Sequence, residues 1–507
     1  MKSIKRIIAL LLTAVMTMTM SVTAFAANPS CSLTVNVKEE GQDLQGQTIN
    51  LYKLFDVTTS QSDGKTNYAY TVNEAYKATL VTTLKVSADA KNEDFVKNVN
   101  NLNKTAGAVQ KFANDFTAAA LNNKLSATTT SGKINESKTS YDFPNLESGY
   151  YLVYVTGGKE IQSSLVTVEE GKTNTVNLKT EAPSITKTAD KDTVSIGQVV
   201  KYTVAGSVPD TTGYAEYVYK IHDTLSNGLD FVNDEIGTST SDGKVQVTVA
   251  FKDATDASTA PTTATIDTDN SKKMSLDLSA WVKANQANKG KEFTVTYYAK
   301  VNKDAVVTEK NKAQLEYGNK PGETTTTTPS EAKTPTYPLD ILKTRKDTSK
   351  KLAGAKFSLY TSEIDAKNRT NPIKVTGNNG NYVVDSTSAT TEFESVENID
   401  RKGYNLRVNG LAEGTYYLVE TKAPDGFNKL TAPIVIKITK SADTDVNNWT
   451  ISKDGTVETD KIIDVENSTG SILPSTGGMG TIAFTVVAAL LVLGVAVSFI
   501  HDRKREN

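Results

Sequence analysis

Cysteine and histidine are nearly absent from this chain of 507 residues, which has one cysteine, Cys31, and two histidines, His222 and His501. A disulfide framework needs paired cysteines and a structural zinc site needs several Cys or His ligands, so both are excluded. We therefore predict no metal site and no cofactor. A Ser-His or Cys-His enzyme would have to use His222, because His501 lies in the C-terminal tail. No nucleophile motif accompanies His222, which is interpreted as structural.

The N-terminus is typical of a secretion signal. Three positive charges within residues 1–6 precede an apolar run from residue 7 to about residue 20, and Ala24-Phe25-Ala26 supplies a small-x-small cleavage site. We predict a signal peptide at residues 1–26, because the apolar run is too short for a stable membrane span. Cys31 follows the cleavage site and is interpreted as an incidental thiol near a flexible terminus.

The C-terminus combines a short motif, an apolar stretch and a basic tail. Leu473-Pro474-Ser475-Thr476-Gly477 precedes an apolar stretch at residues 480–500, and three basic residues follow within 501–507. About 20 apolar residues span the ~30 Å hydrocarbon core, so an ordinary single-pass anchor is one interpretation. The three features in this order resemble the cell-wall sorting signal of Gram-positive surface proteins, predicted here at residues 473–507. The resemblance implies that a sortase cleaves between Thr476 and Gly477 and passes the Thr476 carbonyl to an amine.

An excess of positive charge is also missing. The chain has 56 Lys and Arg against 58 Asp and Glu. Removal of both ends takes six of the positive and two of the negative charges, which leaves residues 27–476 with a net charge of −6. Such a chain suits a soluble surface protein, and we expect it not to bind nucleic acid.

Between the ends, the sequence predicts an all-β protein. Short alternating runs rich in Thr, Val and Tyr are separated by turn residues, as in Ig-like β-sandwiches. Two joints divide the chain into three tandem units at residues 28–182, 183–320 and 337–468. The second joint, a Thr/Pro tract at residues 321–336, is interpreted as a linker that buries nothing.

One segment breaks the β pattern. Between about residues 89 and 124, Val109, Phe112, Phe116 and Ala120 recur at helical spacing. We predict a helical insertion in the first unit that packs against its sheet, with a binding role as the alternative.

A weak internal repeat links the first and third units. Residues 44–52 match residues 352–360 in the pattern Leu-x-Gly-x-x-apolar-x-Leu-Tyr, and residues 146–151 match residues 411–416. The two segments lie 43 residues further apart in the first unit, which the helical insertion accounts for. Both units are therefore predicted to share one fold.

The third unit opens with LDILKT at residues 339–344, contains YYLVETKAPDGF at residues 416–427 and closes with IDVEN at residues 463–467. It resembles the B-type domain of collagen-binding surface proteins and pilins. In that family a first-strand Lys and a last-strand Asn form an intramolecular isopeptide bond with the help of a Glu. The resemblance implies a bond between Lys343 and Asn467, with Glu420 as the assisting acid.

The second unit contains ITKT at residues 185–188, IHDTL at residues 221–225 and KNKA at residues 310–313. It resembles the fimbrial A-type isopeptide domain. The resemblance implies a bond between Lys187 and Asn311, assisted by Asp223.

The residue types suit this chemistry. A Lys amine attacks only when neutral, and burial in apolar surroundings lowers its pKa. The same burial raises a carboxyl pKa, so that a protonated Asp or Glu can donate to the Asn carbonyl and shuttle protons as ammonia leaves. The reaction is a single-turnover maturation, and we predict no enzyme activity on an external substrate.

The repeat alignment also makes a negative prediction. Val35 takes the place of Lys343 and Val155 takes the place of Glu420, while a one-residue gap would put Tyr154 there instead. None of these is reactive in the required way. We therefore predict no such bond in the first unit, and a total of two losses of ammonia from the chain.

Nearly the whole mature chain resembles the major (backbone) pilin of sortase-assembled Gram-positive pili. It implies a linking lysine near the end of the first domain, where Lys179 stands, with Lys172 as the alternative. The family's Tyr-Pro-Lys motif is absent, since Tyr337-Pro338 is followed by Leu339.

The same resemblance implies partners and a location. The partners are pilin-type and housekeeping sortases, identical and accessory pilins, peptidoglycan and host surface ligands. The location is the cell surface, with covalent anchoring to the cell wall. An accessory (tip or basal) pilin and a monomeric wall-anchored adhesin that binds host protein or glycan are the alternatives.

Overall fold

The computed structural model describes residues 31–37, 42–105, 107–158, 162–178, 182–256, 258–320 and 322–470. The predicted signal peptide, the sorting signal and Lys179 lie outside the described residues. The chain divides into two compact units. The first contains the residues up to Asp192, Gln198–Ala305 and Glu309–Thr334, and the second contains Thr193–Gly197, Val306–Thr308 and the residues from Pro335 onward. No helix within these described ranges is long and apolar enough to cross a membrane.

The N-terminal part of the first unit is a β-sandwich, called here the N-terminal sandwich. Its strands are β1 (Cys31–Val37), β2 (Thr48–Ser62), β3 (Lys65–Val72), β4 (Thr129–Lys133), β5 (Ser140–Leu146), β6 (Gly149–Thr156), β7 (Gln162–Val168) and β8 (Asn174–Leu178). One sheet has the order β5-β1-β8, and the other has the order β3-β2-β6-β7 with β4 beside β2. Leu33 and Val153 come from different sheets and are fully buried in one apolar core.

The environment of Cys31 differs from the sequence-based interpretation. Cys31 begins β1 and is 4% exposed, in the same apolar core. Its Sγ lies 3.4 Å from Ser148 Oγ. The residue is therefore a packed core side chain rather than an incidental thiol near a flexible terminus, because β1 is paired on both sides by β5 and β8.

The helical insertion is confirmed. It comprises α1 (Lys77–Leu84), α2 (Asn92–Leu102) and α3 (Ala108–Asn122). Phe112, Phe116 and Ala120 are buried on one face of α3, as their spacing predicts. The insertion begins earlier than predicted, because α1 is short and rich in β-branched residues that weaken the helical pattern.

The C-terminal part of the first unit, called here the middle sandwich, follows β8. Its strands are β9 (Thr186–Ala189), β10 (Val199–Ser207), β11 (Tyr219–Leu225), β12 (Leu229–Val232), β13 (Lys244–Gln246), β14 (Thr248–Phe251), β15 (Thr263–Ile266), β16 (Lys273–Asp277), β17 (Glu292–Val301), β18 (Lys310–Lys320), β19 (Glu323–Thr326) and β20 (Ser330–Lys333). One sheet has the order β12-β17-β10-β9 with β14 beside β17. The other has the order β13-β15-β16-β11-β18-β19 with β20 beside β18. A short helix, α4 (Ser279–Ala284), and a 3-10 helix, Gln286–Asn288, precede β17.

The Thr/Pro tract is structured, contrary to its interpretation as a linker that buries nothing. Within residues 321–336, β19 and β20 both pair with β18. Thr325 and Thr334 are buried, and Thr334 Oγ1 lies 3.2 Å from the Tyr202 hydroxyl. Threonine is β-branched and fits a pleated strand well, and the prolines lie outside β19 and β20, where no ladder hydrogen bond is lost.

The second unit contains a third sandwich, called here the C-terminal sandwich. Its strands are β21 (Tyr337–Arg345), β22 (Lys356–Tyr360), β23 (Val375–Asn378), β24 (Asn381–Val384), β25 (Phe393–Glu394), β26 (Leu406–Leu411), β27 (Gly414–Lys422), β28 (Ile434–Thr439), β29 (Thr450–Lys453), β30 (Thr456–Glu458) and β31 (Ile462–Asn467). The sheets have the orders β23-β24-β26-β21-β31 and β25-β22-β27-β28-β29-β30. Helix α5 (Glu363–Asn368) and a 3-10 helix, Val446–Asn448, lie in connections.

The N-terminal and C-terminal sandwiches share one topology, as the repeat predicts. In the first, β1 pairs with β8 in parallel and β2 pairs with β6 in antiparallel. In the other, β21 pairs with β31 in parallel and β22 pairs with β27 in antiparallel. The turn before β2 and the turn before β22 each contain a glycine with positive φ, Gly46 at 79° and Gly354 at 80°.

Candidate intramolecular crosslink sites

The middle sandwich brings Lys187, Asp223 and Asn311 together between its two sheets. Lys187 lies on β9 of one sheet, whereas Asp223 and Asn311 lie on the neighbouring strands β11 and β18 of the other. Lys187 Nζ lies 2.6 Å from Asp223 Oδ2, and neither side chain has exposed surface. Asn311 is also fully buried. The arrangement joins an amine and a carboxamide across the core, with an acid between them.

Burial changes the proton affinities of this pair. It lowers the pKa of Lys187, although Asp223 partly opposes the effect. It also raises the pKa of Asp223, which Lys187, Tyr297 and Asn311 partly oppose. Both directions favour a neutral amine beside a protonated carboxyl. Both shifts are therefore in the direction that nucleophilic attack on a carboxamide requires.

Tyr297 completes the site and Tyr202 packs beside it, and sequence reasoning missed both. The Tyr297 hydroxyl contacts Lys187 Nζ and Asp223 Oδ2, and it accepts a hydrogen bond of 3.2 Å from Asn311 Nδ2. The amine also lies over the Tyr202 and Tyr297 rings, 4.8 and 4.6 Å from their centroids. The strict alternation of buried residues along β17 marks Tyr297 as inward-facing, but only the tertiary structure shows what it meets.

The C-terminal sandwich brings Lys343, Glu420 and Asn467 together in a different arrangement. Lys343 and Asn467 lie on the paired strands β21 and β31 of one sheet, and Glu420 projects from β27 of the other. Lys343 Nζ lies 3.4 Å from Glu420 Oε1, and neither side chain has exposed surface. Asn467 Nδ2 donates directly to Glu420 Oε2 at 3.0 Å. The acid therefore touches both prospective reaction partners.

Burial also prepares the amine of this second site. It lowers the pKa of Lys343 to about 8, although the nearby Glu420 partly opposes the shift. Glu420 is fixed by a hydrogen bond of 2.8 Å that its Oε2 accepts from Leu430 N–H. A substantial fraction of the amine is thus neutral near pH 8, beside an oriented carboxyl group.

Asn405 is a further residue that sequence reasoning missed. Its Oδ1 accepts a hydrogen bond of 2.7 Å from Lys343 N–H, and its Nδ2 donates to Lys343 O at 3.2 Å. The side chain is fully buried and also donates to Leu352 O and Val396 O. Asn405 therefore anchors the backbone of Lys343 where the ladder between β21 and β26 ends. It lies just before β26, and no local pattern marks it.

The N-terminal sandwich has apolar residues in the corresponding positions. Val35 lies on β1 as Lys343 lies on β21, and Val155 is opposite Ile49 as Glu420 is opposite Phe357. Leu178, two residues beyond the partner of Val35, corresponds to Asn467. All three side chains belong to one buried apolar core. The repeat alignment therefore holds at the two positions that sequence reasoning identified, and the structure adds the third.

The other candidate residues lie apart from these trios. His222 is adjacent to Asp223 in sequence but projects to the opposite face of β11, where its Nε2 lies 2.8 Å from Glu316 Oε2. Lys172 is exposed in the turn before β8. Lys179 and the motif at residues 473–477 lie outside the described residues.

Two family descriptions match the chain. "Gram-positive pilin backbone subunit 2, Cna-B-like domain" matches residues 196–321, and the SpaA "prealbumin-like fold domain" matches residues 338–453. These matches lie within the middle and C-terminal sandwiches and include four of the six trio residues, while Lys187 and Asn467 lie outside the matched ranges.

Proteins similar to this chain include a fimbrial subunit and several pilins of solved structure. "Fimbrial subunit type 1" of Actinomyces viscosus is 32% identical over 127 residues, which are 23% of this chain and 21% of that protein. The chain thus matches about a fifth of the length of that curated relative. Among solved structures, the T6 backbone pilin of Streptococcus pyogenes is 15% identical, with 88% of this chain and 100% of that chain covered and a TM-score of 0.45. The major pilin SpaA of Corynebacterium diphtheriae is 16% identical, with 87% and 100% covered and a TM-score of 0.44.

These relatives are named as a fimbrial subunit, a backbone pilin and a major pilin. Each trio lies on strands of one sandwich, the middle or the C-terminal, with its side chains buried. Most residues of the two trios thus lie in domains that match pilin-type family descriptions, within a chain built from tandem β-sandwich domains.

Proposed function

We propose that this chain is the covalently polymerised backbone subunit of a wall-anchored pilus, stabilised by two intramolecular Lys–Asn isopeptide bonds. The single observation that carries the proposal is the burial of two complete Lys–acid–Asn trios in the middle and C-terminal sandwiches. Burying charged and polar groups costs free energy that an apolar core would save. A role in forming a covalent bond would explain why these polar groups are buried despite that cost.

The reaction at each trio is the same. The neutral Lys Nζ attacks the Asn Cγ, a C–N bond forms between them, and the bond from Cγ to Nδ2 breaks. One proton leaves Nζ and one is delivered to Nδ2, so that ammonia departs and the acid returns to its initial state. Asp223 and Glu420 contact the amine and hold these protons. Each bond lowers the mass of the chain by about 17 Da, the mass of ammonia.

The positions of the bonds suit a load-bearing subunit. Each bond would span 124 positions, from Lys187 to Asn311 and from Lys343 to Asn467. In the C-terminal sandwich, β21 and β31 are parallel neighbours, so that tension on the start of one and the end of the other loads their hydrogen bonds in shear. A bond between these two strands would carry the tension past the intervening residues. Closing a loop of ~100 residues also stabilises a domain by ~4–5 kcal/mol in the loop-entropy model.

Polymerisation requires an amine on one subunit and a sorting motif on the next. We propose that a pilin-type sortase cleaves after Thr476 and joins its carbonyl to Lys179 of an identical subunit. Lys179 follows β8 directly, at the end of the N-terminal sandwich. A housekeeping sortase would attach the finished polymer to peptidoglycan, and accessory pilins and host surface ligands would be further partners. The proposed location is the cell surface, in a pilus attached to the wall.

The polymer is tested on SDS gels of wall extracts from producing cells. We expect a ladder of high-mass species that Lys179→Ala abolishes and that Lys172→Ala, an exposed lysine seven positions earlier, leaves intact. A ladder lost only in Lys172→Ala would make Lys172 the linking residue. A single band in the unaltered chain would contradict polymerisation and favour a monomeric adhesin. A chain found once per polymer would be an accessory pilin.

The crosslinks are tested by the intact mass of the chain after signal removal. We expect two losses of ammonia, and peptide mapping that joins Lys187 to Asn311 and Lys343 to Asn467. Asp223→Ala and Glu420→Ala should each remove one loss. Three losses would contradict the prediction that the N-terminal sandwich has no such bond, and no loss would contradict the crosslinks.

A further inference from the structure

The hydroxyl of Tyr297 touches all three members of the middle trio. It contacts Lys187 Nζ and Asp223 Oδ2, and it lies 3.2 Å from Asn311 Nδ2. The tyrosine projects inward from β17 and is fully buried. Its hydroxyl therefore lies between the acid and the nitrogen that leaves as ammonia.

The C-terminal trio has a different connection between acid and amide. There Asn467 Nδ2 donates directly to Glu420 Oε2 at 3.0 Å. In the middle trio the hydrogen-bond donation from Asn311 Nδ2 goes to the Tyr297 hydroxyl at 3.2 Å. Aspartate is one methylene shorter than glutamate, and the phenol hydroxyl occupies the position between Asp223 and Asn311.

The reaction needs a path for one proton. The neutral amine begins with two protons and the amide product keeps one, whereas the carboxamide nitrogen begins with two and leaves with three. One proton must therefore move from Lys187 Nζ to Asn311 Nδ2. Asp223 contacts the first nitrogen and Tyr297 contacts the second, while the acid and the phenol contact each other.

We propose that Tyr297 is a further catalytic residue that relays this proton, an inference that rests on the proposed Lys187–Asn311 crosslink. Asp223 takes a proton from Nζ and passes one to the Tyr297 oxygen. Tyr297 passes its own proton to Nδ2 as the bond from Cγ to Nδ2 breaks. Asp223 and Tyr297 end in the states in which they began, and ammonia carries the transferred proton away.

The environment of Tyr297 favours the protonated form of its hydroxyl, which the relay requires. Burial, together with the neighbouring Asp223, raises the pKa of Tyr297 well above its usual value. The hydroxyl therefore keeps its proton until the amide nitrogen accepts it. A bifunctional hydroxyl can accept one proton while it donates another.

Tyr202 offers a matched control. Its ring stacks on that of Tyr297 at 5.9 Å, and its centroid lies 4.8 Å from Lys187 Nζ, against 4.6 Å for Tyr297. Its hydroxyl, however, lies 3.2 Å from Thr334 Oγ1, away from the trio. Tyr202→Phe and Tyr297→Phe thus remove the same atom from neighbouring buried rings, and only the second removes it from the proposed relay.

The test measures crosslink formation in the full chain. The chain is made by cell-free synthesis with a pulse of labelled amino acid, quenched in denaturant at intervals, and digested for mass spectrometry. We expect Tyr297→Phe to slow the Lys187–Asn311 bond by about 100-fold, within the usual range for general acid–base catalysis. Tyr202→Phe should change the rate less than threefold, and the Lys343–Asn467 bond in the same molecules serves as the internal reference.

The outcomes separate this proposal from the one on which it rests. Equal rates in Tyr297→Phe and Tyr202→Phe would overturn the relay. A middle sandwich without any crosslink in the unaltered chain would overturn the crosslink itself. Folding is compared in an Asn311→Ala background, which cannot react, through the emission of Trp281, which packs 5.0 Å from Phe293 on β17. Equal folding of the two Phe variants with unequal rates supports the relay, and loss of folding in Tyr297→Phe alone would count against it.

Discussion

The N-terminal and C-terminal sandwiches place different chemistry at the same three positions of one topology. Val35, Val155 and Leu178 fill those positions in the first and are 0%, 1% and 3% exposed. Lys343, Glu420 and Asn467 fill them in the second and are buried to the same extent, at 0%, 2% and 2%. The fold thus accommodates an apolar trio, and packing alone does not account for the polar one.

Burial of a lysine by itself is not sufficient for reactivity, as Lys53 shows. This side chain of the N-terminal sandwich is 9% exposed, but its partners Asp56 and Glu147 are 48% and 57% exposed. Burial lowers the pKa of Lys53, but hydrogen bonds to these two carboxylates outweigh it and the net shift is upward. Its amine remains protonated and cannot attack. Lys187 and Lys343 differ because their whole trios are buried.

Removal of the nucleophile should have the largest effect. Lys343→Met should eliminate one loss of ammonia and lower the free energy of unfolding of the second unit by ~4–5 kcal/mol, from the lost loop closure. Unfolding is followed in denaturant by the emission of Trp449, which is buried in this unit, in a Trp281→Phe background.

The matched control imitates the N-terminal sandwich. In Lys343→Met/Glu420→Met/Asn467→Leu no charge is left buried, so this variant should unfold with ~2–4 kcal/mol more free energy than Lys343→Met alone. Both variants lack the crosslink, so the difference isolates the unpaired carboxyl. Equal free energies of unfolding for the two variants would contradict this prediction, because burial of the Glu420 carboxyl without its partner would then cost nothing.

The reverse substitution tests the same point in the N-terminal sandwich. Val35→Lys places an amine in an apolar core without an acid, so it must bury a charge or deprotonate at neutral pH, at a cost of ~5 kcal/mol. Hydrogen exchange of residues 31–178 at pH 7 should show the loss of protection.

Val35→Met adds similar length without charge and should cost ~1–3 kcal/mol, as overpacking does. Val35→Lys combined with Val155→Glu should recover part of the protection, because the acid then pairs with the amine. If Val35→Lys and Val35→Met lose equal protection from hydrogen exchange, burial of the amine costs no more than the added side-chain volume.

The sequence predicts the trios and the shared topology better than it predicts their surroundings. Lys343, Glu420 and Asn467 stand in recognisable strand contexts, and the spacing of the repeat identifies Val35 and Val155. Tyr297 and Asn405 have no such local signal. Tyr297 is one of several inward-facing residues of β17, and its role depends on which strands face it across the core.

The Thr/Pro tract shows a second limit of sequence reasoning. Its composition is typical of a solvated linker, yet β19 and β20 complete the pairing of β18. Whether a Thr-rich segment pairs depends on the availability of a strand edge, which is a property of the folded sheet. In the same way, the short α1 is stabilised by packing and not by its own helical pattern.

A smaller effect concerns how the stability of the C-terminal sandwich depends on pH. In Asn467→Ala the crosslink cannot form, and Lys343 keeps a pKa of about 8 in the folded state against 10.5 for an unperturbed lysine. Between these values the unfolded chain binds more protons, so the free energy of unfolding should rise with pH, by at most ~3 kcal/mol. The second unit of Asn467→Ala should thus melt higher at pH 10 than at pH 8.

The control is Asn467→Ala combined with Lys343→Met, which has no amine to titrate. Its melting temperature should not share the rise between pH 8 and pH 10. If the melting temperatures of both variants rise equally, the Lys343 amine is not the cause of the rise. That result would contradict a lowered pKa for Lys343.

The smallest effect concerns the glycines that precede β2 and β22. Gly46 and Gly354 have nearly the same positive φ, 79° and 80°, so alanine at either position should cost ~1 kcal/mol through backbone strain. A Cβ at Gly354 has its nearest neighbour, Glu394 Oε1, at 3.9 Å, whereas a Cβ at Gly46 meets the Tyr317 hydroxyl at 3.0 Å. Tyr317 is buried in the middle sandwich and has little room to move.

Gly46→Ala should therefore cost ~1–3 kcal/mol more than Gly354→Ala, which denaturant unfolding of each unit would measure. Gly46→Ala/Tyr317→Phe should return most of this excess, because the phenol oxygen that meets the new Cβ is then absent. Equal costs for the two alanine substitutions would mean that the turn alone sets the need for glycine. A larger cost at Gly46 that Tyr317→Phe relieves would mean that this position needs glycine for two reasons. One is the positive φ that both turns share, and the other is the close approach of Tyr317 on the neighbouring strand β18.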